Sequence, residues 1–143
     1  MVIAIIGESC VGKSTFAEEL RKMLSAEVYT GKDYLRLAKN EAIAKKLFMN
    51  QLASAVAGDH IVYVIAEKEH LSLVPEGTVT VLMTADLPLI IERFSARMRG
   101  KLPDPVKQML EKKHGCFDNG NYDYRIHNCE NIADVIRMIC GRV

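Results

Sequence analysis

The chain begins with Val2-Ile-Ala-Ile-Ile6, followed directly by Gly7-Glu-Ser-Cys-Val-Gly-Lys-Ser-Thr15. The first five residues form a continuous apolar run rich in β-branched side chains, which predicts a strand covered on both faces. The next nine match the pattern G-x-x-x-x-G-K-[ST], whose glycines let successive backbone N–H groups point at phosphate oxygens. An amphipathic helix is predicted from Ser14 to Ser25, and its positive end faces the same place. The stretch therefore predicts a strand, a phosphate-binding loop and a helix.

This loop predicts the ligands ATP and Mg²⁺. Lys13 is expected to reach the β- and γ-phosphates, and the Ser14 hydroxyl to bind Mg²⁺. The thiol of Cys10 lies near a helix N-terminus, where its oxidation or alkylation would block nucleotide binding. The alternative is that Cys10 is only a small filler side chain. The expected nucleotide-binding residues are Gly7, Glu8, Ser9, Cys10, Val11, Gly12, Lys13, Ser14 and Thr15.

The rest of the chain alternates apolar runs with helical periodicity. Further strands are predicted at 27–29, 61–65, 78–83 and 124–127, the last as an edge strand. Residues 32–57 predict one or two helices. Further helices are predicted at 86–99, with Asp86 as its cap, at 103–114, and after a cap at Asn131. This order predicts a single α/β domain over residues 1–143, in which helices flank a five-stranded parallel sheet in three layers.

Composition excludes several classes of protein. The 143 residues carry 19 Lys and Arg against 18 Asp and Glu, which argues against a broadly basic nucleic-acid binder. No apolar run approaches about 18 residues, and the run Val2–Ile6 is too short for the apolar region of a signal peptide, so no membrane partner is expected. The four cysteines form no C-x-x-C pair and no zinc spacing, which is typical of free thiols. We therefore expect a cytoplasmic protein, either a monomer or a small homo-oligomer.

Candidate acceptor-site residues follow the second and third strands, because ligands of parallel sheets gather at the carboxyl ends of strands. Thr30, Asp33 and Arg36 lie within one turn, and the Arg36 fork suits a phosphate. The alternative is that Thr30 only caps a helix, whose dipole Asp33 stabilises. Glu67 follows the third strand and is a candidate to hold Mg²⁺ through water or to act as a base.

Basic side chains dominate the helix after the fourth strand. Arg93 and Arg97 share a helical face and are candidates to stabilise a phosphoryl group in transfer. They reach the site only if this helix crosses the upper edge of the sheet; otherwise they form a solvated basic face. Asn128, after the fifth strand, is a candidate to border the nucleotide base, or is only a turn residue.

These segments together resemble the P-loop nucleoside monophosphate kinases, such as adenylate, cytidylate and guanylate kinases. The stretch from Thr30 to Arg36 is similar to the acceptor segment T-G-D-x-L-R with one extra residue, which implies that Thr30 and Arg36 hold an acceptor monophosphate. Arg93, Arg97 and Arg99 resemble arginines that enter a mobile lid, which implies a short lid near 93–104. Tyr122-Asp-Tyr-Arg-Ile-His-Asn128 resembles the segment Y-D-x-x-I-x-N. The D-G-F-P-R segment of adenylate kinases is absent.

We therefore expect an ATP- and Mg²⁺-dependent phosphotransferase that moves the γ-phosphate to a nucleotide or nucleoside. Lys13, Arg93 and Arg97 are its candidate catalytic residues, and Asp33 accepts the proton if the acceptor is a hydroxyl. One alternative is a kinase of a non-nucleotide metabolite, similar to shikimate or gluconate kinases. A second is a nucleotide-binding module without phosphotransfer.

Overall fold

A computed structural model describes residues 1–143, in which five parallel strands form one sheet. The strands are β1 (Val2–Ile6), β2 (Glu27–Thr30), β3 (Ile61–Ile65), β4 (Val79–Thr84) and β5 (Tyr124–His127). Their order across the sheet is β2-β3-β1-β4-β5, so β1 is central and β2 and β5 form the edges. The prediction of a three-layer α/β fold with a five-stranded parallel sheet is confirmed, as is the position of β5 at an edge.

The chain also forms five α-helices and two short 3₁₀ helices. The α-helices are α1 (Lys13–Leu24), α2 (Glu41–Ala55), α3 (Leu87–Arg97), α4 (Asp104–Lys113) and α5 (Ile132–Cys140). The 3₁₀ helices cover Asp33–Leu37 and Lys68–Leu73. The region predicted as one or two helices at 32–57 is thus a 3₁₀ helix followed by α2. None of the helices is both long enough and apolar enough to span a bilayer.

Both faces of the central strands are buried, which explains their continuous apolar sequences. Ile3 and Ile5 belong to one core cluster with Phe16 of α1 and Val135 of α5. The alternate residues of β1 belong to a second cluster, on the α2 side of the sheet, which contains the aromatic side chains of Tyr29, Tyr34, Phe48 and Tyr63. Full burial of one such apolar side chain contributes roughly 1.5–3 kcal/mol.

Two residues predicted as helix caps occupy the expected positions but do not cap the helix with their side chains. Asp86 and Asn131 occupy the N-cap positions of α3 and α5, but neither side chain makes a capping hydrogen bond. Asn131 has a left-handed backbone (φ 53°). The Asp86 carboxylate instead accepts a hydrogen bond from the Asn128 amide. Tertiary contacts with the end of β5 therefore replace the local cap.

The ends of β3 and β4 flank the exit of β1. The Gly7 N–H donates to the Ile65 carbonyl at 3.1 Å. A Cβ at Gly7 would collide with the Met83 carbonyl oxygen on the other side. Only glycine fits here, and the loop after β1 consequently begins between two neighbouring strand ends at the carboxyl edge of the sheet.

Candidate functional site

The loop between β1 and α1 closes around the ammonium group of Lys13. Its Nζ donates to the Gly7 carbonyl at 2.7 Å and also to the Glu8 carbonyl. Cys10 and Gly12 adopt positive φ angles of 64° and 97° and reverse the chain direction ahead of α1. No side chain caps the N-terminus of α1, so its first N–H groups and its positive dipole end remain available to an anion.

Lys13 is a buried cation with a perturbed pKa. Only 8% of the residue is exposed. Its pKa is lowered from 10.5 to about 8, mainly by burial; the charge of Arg97 acts in the same direction, whereas Cys10 and Glu8 act in the opposite direction. The fold thus holds a positive charge that has lost most of its hydration, in a position where an anionic ligand would restore its interactions.

Helix α3 brings Arg93 to the loop. Arg93 Nη1 donates to the Cys10 carbonyl at 3.0 Å. Arg97 lies close enough to Lys13 for its charge to affect the pKa of the ammonium. The structure therefore brings together Lys13, Arg93 and Arg97, three cations of the predicted catalytic set.

The turn after α4 contacts the loop, which the sequence did not indicate. The Glu8 carboxylate lies 3.2 Å from His114 Nδ1 and accepts a hydrogen bond from the Gly115 N–H at 3.2 Å. More than 100 residues separate these partners along the chain, as the sequence separations of 106 and 107 show. No local sequence pattern reports such a pair.

The acceptor-side residues are only partly assembled. The Thr30 N–H donates to Asp33 Oδ2 at 2.9 Å, which holds that carboxylate beside the end of β2. Arg36 turns away: its guanidinium lies 4.4 Å from the Tyr29 ring centroid and donates to Glu27 at 3.3 Å. Glu27 is the first residue of β2, at the amino edge of the sheet. The structure does not bring Arg36 to the loop.

The two residues predicted to hold a metal ion lie in different surroundings. Ser14 is exposed in the first turn of α1, next to Lys13. Glu67 follows β3, and its carboxylate pairs with Lys113 of α4 at 3.2 Å. The exposed Ser14 hydroxyl fits a Mg²⁺ ion that bridges to phosphates, since this ion takes few protein ligands alongside phosphate oxygens and water.

The turn after β5 contacts both the loop and α3. Asn128 donates to Asp86 Oδ2 at 3.0 Å and accepts from the Asp86 N–H at 2.9 Å. This amide hydrogen bond, and to a lesser extent the His127 ring, hold the pKa of Asp86 below its ordinary value. The Cys129 thiol donates to the Val11 carbonyl at 3.5 Å, a contact that the sequence did not predict.

A cleft of about 700 Å³ lies between the segment after β3 and α4, within the range of small-molecule sites. Its walls carry several lysines and one carboxylate, among them Glu67, Lys68, Lys112 and Lys113. A cavity of about 910 Å³ lies at the amino edge of the sheet, away from the loop, and includes Glu27 and His60.

Comparisons with known proteins identify the fold. No family model matches the chain, and no curated protein matches it. A shikimate kinase from Aquifex aeolicus is 20% identical, with 99% of this chain and 95% of that chain covered and a TM-score of 0.56. A gluconokinase from Sinorhizobium meliloti is 12% identical over 98% and 89% of the two chains, with a TM-score of 0.60. A deoxyadenosine kinase from M. mycoides with bound dATP is 16% identical over 99% and 98%, with a TM-score of 0.56. The chain thus shares the three-layer fold of P-loop kinases.

Proposed function

We propose that this chain is an ATP- and Mg²⁺-dependent phosphotransferase that moves the γ-phosphoryl group to a small-molecule acceptor. The observation that carries the proposal is the buried Lys13 ammonium inside a loop of the G-x-x-x-x-G-K-[ST] pattern, at the N-terminus of α1. Solved kinases with the same fold support it. The proposal also includes a single domain with a short lid near 93–104, a cytoplasmic location, and a monomer or small homo-oligomer.

The residues in and around the loop have different proposed roles. The backbone N–H groups and Lys13 bind the β- and γ-phosphates, and Ser14, with Glu67 through water, holds Mg²⁺. Bound Mg²⁺ supplies positive charge to the phosphate oxygens. Arg93 and Arg97 offset the charge that develops on the transferring group. The contact between Arg93 and the Cys10 carbonyl supports this role, because it lies directly beside the loop.

Two acceptor classes remain in competition. A nucleotide or nucleoside is favoured by the resemblance of Thr30–Arg36 to a monophosphate-binding segment, with Thr30 and Arg36 as ligands and Asn128 beside the donor base. A hydroxyl-bearing metabolite is favoured by the direction of Arg36, which pairs with Glu27, and by the exposed Asp33 carboxylate beside the end of β2, a candidate to accept the hydroxyl proton. The cleft between α4 and the segment after β3 is large enough for either class.

A substrate panel with MgATP tests the proposal. We expect ADP release to depend on one class of acceptor among nucleoside monophosphates, nucleosides, sugars and hydroxy acids. Lys13→Ala should abolish it while the circular dichroism spectrum is retained. Transfer to sugars or hydroxy acids alone would decide for the metabolite kinase. Tight ATP binding in a thermal-shift assay, without turnover for any acceptor, would leave a nucleotide-binding module and contradict phosphotransfer.

A further inference from the structure

A chain of hydrogen bonds at the ends of β4 and β5 links a hydroxyl, an imidazole and a carboxylate. Thr84 Oγ1 lies 2.8 Å from His127 Nδ1, and His127 Nε2 lies 3.1 Å from Asp86 Oδ1. The second oxygen of Asp86 accepts from Asn128 at 3.0 Å. None of these four side chains is needed for the loop chemistry described above, apart from the predicted contact of Asn128 with a donor base.

Strand register creates this juxtaposition. Thr84 and His127 are direct partners in the parallel pairing of β4 with β5, so their side chains share one face of the sheet. Asp86 lies two residues beyond Thr84, and its backbone N–H and carboxylate are both held by Asn128. The imidazole is therefore oriented from two sides by residues that are themselves fixed.

The hydrogen-bond chain determines which imidazole nitrogen carries the proton. Asp86 is an acceptor, because its pKa lies below the ordinary value and it is ionised near neutral pH. His127 must then donate from Nε2, which leaves the lone pair of Nδ1 directed at the Thr84 hydroxyl. This order of nucleophile, base and orienting carboxylate is the arrangement that activates a hydroxyl group.

The hydroxyl opens into a small cavity of about 230 Å³. Three carboxylates line it, those of Glu8, Asp86 and Asp118, so anionic ligands are disfavoured. Arg125 lines the same cavity and donates to the Asp118 and Gly120 carbonyls. The volume lies below the range of about 300–1,000 Å³ that suits drug-sized ligands, and it accommodates only a short acyl group.

We infer that Thr84 is an activated nucleophile that accepts short, uncharged acyl groups from activated esters, with His127 as its general base and Asp86 as a positioning residue. Thr84 Oγ1 bonds to the ester carbonyl carbon while its proton moves to His127 Nδ1. The bond to the ester oxygen breaks, and the leaving group takes that proton. Water then attacks the acyl carbon, returns a proton to Thr84 through His127, and releases the carboxylic acid.

The reaction is tested on the full chain without nucleotide or Mg²⁺, so its outcome is independent of the proposed phosphotransfer. The probes are p-nitrophenyl acetate for turnover and an alkyl fluorophosphonate for labelling, in which Thr84 Oγ1 displaces fluoride from phosphorus. We expect peptide mass spectrometry to locate the phosphonate on Thr84. His127→Gln should slow labelling by about 100-fold or more, within the usual range for loss of a general base.

Matched variants separate the activity of the hydrogen-bonded relay Thr84–His127–Asp86 from the background reactivity of other imidazoles. His60→Gln removes another partly exposed histidine, at the amino edge of the sheet beside the Met1 amine, and should leave the rate of ester cleavage unchanged. Thr84→Val should abolish labelling, and Thr84→Ser should retain it. Labelling elsewhere than Thr84, or equal rates in His60→Gln and His127→Gln, would overturn the inference. If Thr84→Val fails to fold, loss of labelling in folded Thr84→Ser overturns it equally.

The role of Asp86 has a spectroscopic test. Long-range ¹H–¹⁵N spectra of the imidazole should show His127 protonated at Nε2 in the native chain. Asp86→Asn removes the charged acceptor, so the proton should redistribute to Nδ1 and labelling of Thr84 should slow by about 10-fold or more. A native His127 protonated at Nδ1 alone would contradict the relay, because that nitrogen could then accept no proton from Thr84.

Discussion

Raising the pH from 7.5 to 9 should weaken nucleotide binding because Lys13 loses its proton. In the free protein its pKa is about 8, mainly because burial disfavours the charged form. Bound phosphates favour that charged form, so they raise the pKa and nucleotide binding takes up a proton. Affinity therefore falls as the pH rises through about 8, since a growing share of the free protein must first protonate Lys13.

The magnitude follows from the protonated fraction of the free protein. With a pKa of about 8, roughly three quarters of Lys13 is charged at pH 7.5 and about one tenth at pH 9. The affinity for a non-hydrolysable ATP analogue with Mg²⁺ should thus fall about 8-fold, or about 1.2 kcal/mol. At pH 8.5, about 0.8 proton should be taken up for each nucleotide bound, which follows from the same pKa.

Isothermal titration calorimetry in buffers of different ionisation enthalpy measures both quantities. Lys13→Arg is the matched control, because a guanidinium stays protonated throughout this range. Its affinity, whatever its absolute value, should not change between pH 7.5 and 9 beyond the change shared by the nucleotide itself. An equal slope in the native chain and in Lys13→Arg would refute the assignment of the titration to Lys13.

Three substitutions test other parts of the site. Gly12→Ala places a Cβ 2.6 Å from Cys129 Sγ at a φ of 97°, and should lower the free energy of unfolding by about 2 kcal/mol in urea titrations. Adding Cys129→Ala to this variant should recover only the share of that loss that comes from the clash with the sulfur, and not the share that comes from backbone strain. Arg93→Ala should lower kcat by about 100-fold or more in steady-state assays with the identified acceptor, and an unchanged kcat would remove it from catalysis. Arg36→Ala should change stability by less than about 1 kcal/mol, because its ion pair with Glu27 is exposed. With a nucleotide acceptor it should raise the acceptor KM more than the ATP KM, and equal effects would exclude Arg36 from the acceptor site.

Local patterns in the sequence predict the fold well, because the strands are short, continuous apolar runs. The bounds of β1, β3 and β5 agree with the expectation to the residue. The expected helix at 86–99 ends early, at Arg97, because the chain turns through positive φ angles at Arg99 and Gly100 and the Gly100 N–H bonds back to the Ser95 carbonyl. In the sequence, Gly100 is the first residue that indicates this turn, so the end of the helix at Arg97 could not be predicted to the residue.

Contacts between distant residues limited the prediction of the site. The residues that define the motif are all adjacent in sequence, and the structure places Lys13 inside that loop, bonded to the Gly7 and Glu8 carbonyls; its contact with phosphates stays a prediction. The direction of the Arg36 side chain depends on its contacts with Tyr29 and Glu27 in β2. A prediction made from the segment Thr30–Arg36 alone does not include those two residues. The contact of Glu8 with His114 depends on how α4 packs, and no residue near Glu8 encodes it.

The contacts around the loop determine which way its peptide groups face. Lys13 binds two of its carbonyls, Arg93 binds a third, and the Cys129 thiol binds a fourth, those of Gly7, Glu8, Cys10 and Val11 respectively. In a trans peptide group the N–H points opposite to the C=O. Fixing each carbonyl therefore also fixes the direction of the N–H in the same peptide group. The loop is held in this form by residues from α1, α3 and the turn after β5, so an incoming phosphate does not have to order it, and less binding free energy is lost to that step.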